Sequence, residues 1–282
     1  MAEILVVGAT GKTGGRVSAQ LAATGARVRA ASRTPAPATA NVTPIPFDWD
    51  DRGTYQPALD GVDGVYFVPP SLRTDYPPLV DAFLEAVTTA GVERIVYVSA
   101  RGAVAGDHIP MRAAEMSLEK AGLPATVLRP AWFAQNFTES FLYPLVRDQG
   151  VVAVPTGTGR TPFVDLDDVA AVAVAALLED GHRGRLYDLS GPESMTWSEA
   201  AETIGKVTGR EIAFVDVPPA DWEAAAVGMG VPADYAAHVS ELLSLVRDGR
   251  EDYVSPDVAQ VLGREPRSFG DWAESVRRAW LV

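Results

Sequence analysis

The chain has 282 residues, 47% apolar and 22% charged, a composition that excludes wholesale disorder. The absence of cysteine excludes a disulfide framework, thiolate metal sites and a cysteine nucleophile, and three scattered histidines offer no metal-ligand spacing. A formal charge of −13, from 24 Lys+Arg against 37 Asp+Glu, disfavours a general role on nucleic acid or on anionic membranes.

The first half alternates strands with helices. Ile4–Val7 is an apolar run ended by Gly8, and Thr13–Thr24 carries Val17 and Leu21 at helical spacing before Gly25 stops it. Strands are predicted at Arg27–Ala31, Ile45–Phe47, Gly64–Val68, Arg94–Ser99 and Ala125–Leu128. Helices are predicted near Asp51–Leu59, Asp75–Ala90 and Met111–Ala121, with Gly91 and Gly122 closing the last two. Helices of 10–15 residues between apolar strands predict a parallel sheet covered on both faces. The second half is less regular. Asp167–Leu178 is a helix, Arg185–Leu189 a strand, and Thr196–Thr208 a helix opened by a capping box of Thr196 and Glu199. Ile212–Val217 is a further strand, and helices dominate from Ala220 onward.

No apolar run approaches the roughly 20 residues of a membrane span. The N-terminus shows no charged leader region, so a cytoplasmic protein is expected.

The strongest signal is Gly8-Ala9-Thr10-Gly11-Lys12-Thr13-Gly14-Gly15, between a strand and a helix. Gly8 permits the tight turn, Gly11 lets backbone amides approach a pyrophosphate, and Gly14 lets the helix lie close on the strand. The helix N-terminus adds about half a positive charge toward the phosphates. Gly11-Lys12-Thr13 also ends like a phosphate-transfer loop, but Val6 stands where that loop needs glycine. The pattern predicts a doubly wound α/β sheet of the Rossmann type, with Gly8, Thr10, Gly11, Lys12, Thr13 and Gly14 at a dinucleotide.

A carboxylate about 20 residues beyond the turn would accept the ribose 2′-hydroxyl of NAD. The second strand instead ends Ala30-Ala31-Ser32-Arg33, with Arg33 nineteen residues after Gly14. A guanidinium and a serine hydroxyl suit a 2′-phosphate, which predicts NADP(H); the alternative is an exposed loop arginine. Asp48, ending the third strand, would meet an adenine edge or serve a turn, and Asp51 is the better helix cap. Pro69, after the fourth strand, is expected to shape the cofactor's wall.

The chain resembles the NmrA-like branch of the atypical short-chain dehydrogenases/reductases. The resemblance rests on Gly8–Gly14, Arg33, Phe47–Asp51, Val92–Gly102, Glu115 with Leu118, Gly122–Phe137, Pro162–Ala170 and Tyr187–Pro192, and runs through nearly the whole chain. It implies an NADPH-dependent reductase of a quinone or another small molecule, or else a cofactor-sensing regulator that acts through a protein partner. Ordinary short-chain reductases transfer a proton through a Tyr-x-x-x-Lys pair, and this sequence contains none. By similarity to relatives that keep only the lysine, its place falls at or near Met111.

Ser99 and His108 are the candidate catalytic residues. Ser99 ends the fifth strand, where it would hydrogen-bond a substrate oxygen or close a strand end. His108 lies in a Gly/Asp loop, as a titrating group or as mere surface. Arg112 and Glu115 are spaced as a structural ion pair. Phe133, Phe137 and Phe141 recur at helical spacing, as core or as pocket; with Trp132, Asn136 and Phe163 they would suit a flat, apolar, aromatic or quinonoid substrate. The expected organisation is a dinucleotide-binding domain over residues 1–150, rejoined by segments around 164–190, and a mostly helical substrate lobe over 191–282. Monomer and homodimer both stay open.

Overall fold

The computed structural model describes residues 2–281, which divide into two compact units. The first comprises Met1–Ser71, Asp75–Pro130 and Asp167–Asp188, the second Leu72–Thr74, Ala131–Leu166 and Leu189–Val282. The expected boundaries stood at 150 and 190; the first lies twenty residues earlier, at the end of a sheet strand.

The first unit is built on β1 (Glu3–Val7), β2 (Arg27–Ser32), β3 (Val42–Pro46), β4 (Gly64–Phe67), β5 (Arg94–Val98) and β6 (Thr126–Pro130). Together with the Leu186–Leu189 strand they form one sheet in the order β3-β2-β1-β4-β5-β6-(Leu186–Leu189). Pairing is parallel throughout β1–β6. The last strand runs the same way, because its bonds to β6 advance together, Val127 N to Arg185 O and Ala131 N to Leu189 O. Ile4, Leu5, Val6 and Val7 are at most 1% exposed, as a strand covered on both faces requires. Helices α1 (Lys12–Ala23), α2 (Tyr55–Leu59), α3 (Pro77–Ala90) and α4 (Pro110–Lys120) alternate with these strands. The strand order turns back between β1 and β4, which opens a crevice at their carboxyl ends.

Two elements differ from expectation. The third strand starts at Val42 rather than Ile45 and contains Pro44 and Pro46. It is the sheet's edge, and Phe47 N bonds Ser32 O, so odd-numbered residues face β2. Pro44 and Pro46 therefore turn their missing N–H outward, where no partner strand needs it. The helix expected over 51–59 is a 3₁₀ turn, Arg52–Thr54, running into α2; Asp51 caps it through a 2.9 Å bond from Gly53 N.

In the second unit, Val151–Val154 pairs in parallel with Ala213–Asp216, and Arg160–Thr161 pairs antiparallel with Met195–Thr196. Its helices include Trp197–Thr208, Pro219–Gly228, Ala233–Arg247 and Phe269–Val276. The core is aromatic: Phe137, Phe163, Trp197, Phe269, Trp272 and Trp280 are at most 1% exposed. Ring edges meet faces, as in Phe163–Trp197 with centroids 5.0 Å apart at 74°. Among the described residues, no helix is long and apolar enough to cross a membrane.

The capping box is present: Thr196 Oγ1 accepts from Glu199 N at 3.0 Å, and Glu199 Oε2 accepts from Thr196 N at 2.7 Å. Thr196→Ala is expected to cost about 1 kcal/mol, which in a protein of this size lowers Tm by roughly 2–4 °C. An unchanged melting curve would show that the cap contributes nothing.

Candidate functional site

The glycine turn lies at the carboxyl end of β1. Gly8 N and Ala9 N donate to Ala31 O at 3.1 and 3.2 Å, and Gly11 N folds back onto Gly8 O at 2.9 Å. Gly8 adopts φ +80°, a left-handed conformation that glycine takes without strain. A Cβ on Gly14 would lie 2.3 Å from Gly8 O and 2.7 Å from Gly8 C, so α1 packs on bare backbone there. Gly11 is the N-cap of α1 and supplies no side-chain cap. No side chain therefore caps the first turn of α1, which forms the positive end of the helix dipole. Thr10 is exposed, while Lys12 and Thr13 are half-buried in the first turn.

At the end of β2, Ser32 is 8% exposed and its Oγ is buried without a hydrogen-bond partner. A buried hydroxyl left unsatisfied is costly, so it marks a place for a polar ligand group. Arg33 follows, exposed at the surface. Asp48 Oδ1 accepts from Asp50 N at 3.1 Å, the turn role foreseen as its alternative. Pro69, half-buried, follows β4. Glycine cradle, uncapped helix and orphaned hydroxyl together fit a dinucleotide.

Ser99, 6% exposed, follows β5 with its amide bonded to Leu128 O at 2.8 Å. Its hydroxyl donates to Glu115 Oε1 at 2.6 Å. Glu115, 3% exposed on α4, also accepts from Arg129 Nε at 2.8 Å, from Arg129 Nη2, and from Arg112 Nη1 at 3.0 Å. Burial alone would raise the Glu115 carboxyl. Hydrogen bonds from Arg129, Ser99 and Arg112, with the Arg129 charge, outweigh it and hold the group below its usual range. Tyr97, fully buried beside Ser99, is pushed well above the ordinary phenol by desolvation. Its hydroxyl donates to Met111 O at 3.3 Å. His108 is exposed in a turn before α4, and the hydrogen bonds of Ser99 run elsewhere.

The Arg112–Glu115 pair was legible from its spacing. Its link to Ser99 and Arg129 was not, because β5, α4 and β6 bring those residues together from separations of 16 and 14 positions. Spacing could not have shown it; only the adjacency of β5 and β6 does.

In the second unit the aromatic stripe is not one helix face. Asn136–Glu139 is a single short turn, and Ser140 is extended at φ −140°, ψ −166°. Phe133 instead bridges to Val164, and the Trp280 indole donates to Phe137 O at 2.9 Å, taking a carbonyl the helix would have used. Phe137 and Phe163 are enclosed at 0% and 1% exposure, Asn136 is 9% exposed, and Trp132 and Phe133 are half-buried. A stripe read from spacing alone thus gives way to tertiary packing around Trp197.

The model of the NmrA-like family matches residues 1–273. The chain is 34% identical over 277 residues to the uncharacterized oxidoreductase YesF of Bacillus subtilis, covering 98% of this chain and 96% of that protein. It is 35% identical over 280 residues to the (4-alkanoyl-5-oxo-2,5-dihydrofuran-3-yl)methyl phosphate reductase of Streptomyces griseus, covering 96% of each. Among solved structures, the NADPH-dependent quinone oxidoreductase QOR2 of Escherichia coli, complexed with NADPH, is similar with a TM-score of 0.85 at 25% identity. That similarity covers 98% of this chain and 99% of that one.

Proposed function

The chain belongs to the NmrA-like family, and on that premise we propose that it is an NADP(H)-dependent oxidoreductase acting on a small apolar carbonyl or quinone. The observation that carries the reading is the β1–α1 turn, where a Cβ on Gly14 would lie 2.3 Å from Gly8 O and no side chain caps the helix that follows. In this reading Gly8, Thr10, Gly11, Lys12, Thr13 and Gly14 hold the pyrophosphate. Ser32 and Arg33 hold the 2′-phosphate, Asp48 meets the adenine edge, and Pro69 walls the ribose. The solved complex of QOR2 with NADPH and the names of the reductase relatives support it.

Bound NADPH supplies a hydride; the protein's own residues decide which acceptors can use it. The sequence offers no Tyr-x-x-x-Lys pair, and Glu115 is held ionised by arginine hydrogen bonds, so it is no proton donor. His108, the other candidate, lies exposed in the turn before α4. A site so poor in acids favours an acceptor whose reduced oxyanion is stabilised by resonance, as in a quinone. Half-buried Trp132 and Phe133 are the proposed apolar contacts, with Asn136 as the polar one.

Steady-state oxidation of NADPH across a panel of quinones and aldehydes tests the proposal, and turnover with at least one quinone is the expected result. If NADP+ and NADPH bind with different affinities yet no acceptor turns over, the chain is a cofactor sensor and the reductase reading falls.

A further inference from the structure

Ser99 has one proton to donate and two lone pairs to offer. That proton is committed. An ionised carboxylate can only accept, so at 2.6 Å the Ser99–Glu115 bond has one possible direction. The neutral Tyr97 hydroxyl beside Ser99 is the weaker competitor for the proton, because charge-assisted bonds to carboxylate are roughly twice as strong. Glu115 cannot turn away, since Arg129 holds both of its oxygens and Arg112 holds Oε2. Its place at the carboxyl end of β5 puts Ser99 on the half of the sheet edge opposite Arg33, which ends β2 across β1 and β4. The reacting half of a dinucleotide would lie on that side if Arg33 marks the adenosine half.

We propose that Glu115 is a positioning residue that removes the donor capacity of Ser99, so that Ser99 meets the substrate as a hydrogen-bond acceptor. The preferred substrates are then quinones or carbonyl compounds with an N–H or O–H beside the reducible group, and a bare carbonyl oxygen gains nothing from Ser99. This reverses the donor role that sequence position alone suggests for Ser99, and it rests on the oxidoreductase reading above.

The test compares 2-amino-1,4-naphthoquinone with its 2-dimethylamino analogue, using NADPH and the full-length protein. The readout is the ratio of the two kcat/KM values, which global changes in stability or cofactor affinity leave untouched. Ser99→Ala is expected to lower the wild-type ratio about three- to tenfold, the worth of one neutral hydrogen bond. Glu115→Gln goes further. Two arginine donors meet Oε2 and one meets Oε1, so the amide oxygen takes the Oε2 side; the amide N–H₂ then faces Ser99 and Arg129 Nε, and the freed serine proton turns outward. The ratio should fall at least as far as in Ser99→Ala. If Glu115→Gln does not fold, Ser99→Ala decides alone. Turnover with a ratio that Ser99→Ala leaves unchanged overturns this inference and spares the oxidoreductase reading. Absence of wild-type turnover with these and all other quinones overturns both.

Discussion

Gly14→Ala should cripple the protein's hold on NADPH, while Gly15→Ala one residue later should leave it intact. Helix propensity alone favours alanine at both positions, by up to about 1 kcal/mol each. Packing separates them. The new Cβ at position 14 would lie 2.3 Å from Gly8 O and 3.1 Å from Ala9 Cα, whereas at position 15 it would meet Ala9 O at 3.4 Å, an ordinary contact. The obstacles at position 14 are backbone atoms of the turn itself, so no side chain can swing aside. Relief requires α1 to withdraw from β1, at roughly 1–3 kcal/mol of stability, and the withdrawal carries the helix N-terminus away from the proposed pyrophosphate site. We expect Gly14→Ala to melt lower and to weaken NADPH by at least about tenfold, or 1.4 kcal/mol. Gly15→Ala should melt at or above the wild type and bind normally. Thermal melts and fluorescence titrations on the three proteins check this. Equal NADPH affinity in all three would mean that the cradle is not the cofactor's phosphate site.

Arg33→Ala is expected to weaken NADPH by about 1.5–3 kcal/mol, the usual worth of a hydrogen bond to a charged group. That is roughly ten- to a hundredfold in dissociation constant. Because Arg33 is exposed, solvent screening places the effect toward the lower end. NADH lacks the 2′-phosphate, so its affinity should hardly move. Raising salt should weaken NADPH on the wild type more than on the variant, since exposed charge pairs are screened over about 10 Å at 0.1 M. Titrating both cofactors against both proteins separates the cases. A loss shared equally by NADH and NADPH would make Arg33 structural and remove the main support for NADP(H).

Much of the chain was legible where its signals are local. The Gly8–Gly14 turn, the Asp51 cap, the Thr196–Glu199 box and the Arg112–Glu115 pair each depend on backbone angles or on neighbours within a few residues. Residue type and spacing are sufficient to specify such features. The sheet also followed from the alternation of apolar strands with helices, because burial on both faces leaves its mark on every strand residue.

The remainder depended on which distant segments became neighbours. Two prolines fit the third strand only because it is an edge strand with odd-numbered residues facing β2. The aromatic spacing of Phe133, Phe137 and Phe141 mimicked a helix, but the Trp280 indole and the ring cluster around Trp197 broke it into a turn and a bridge. Ser99 was recognisable by position, yet the direction of its hydrogen bond was set by a carboxylate 16 residues away and an arginine on the adjacent strand. The glycine turn was determined by the sequence alone, since a Cβ at position 14 would lie 2.3 Å from Gly8 O and only glycine fits there. The tertiary structure alone decided what the serine beyond β5 can offer, because a hydroxyl has one proton and its destination depends on what the fold packs against it.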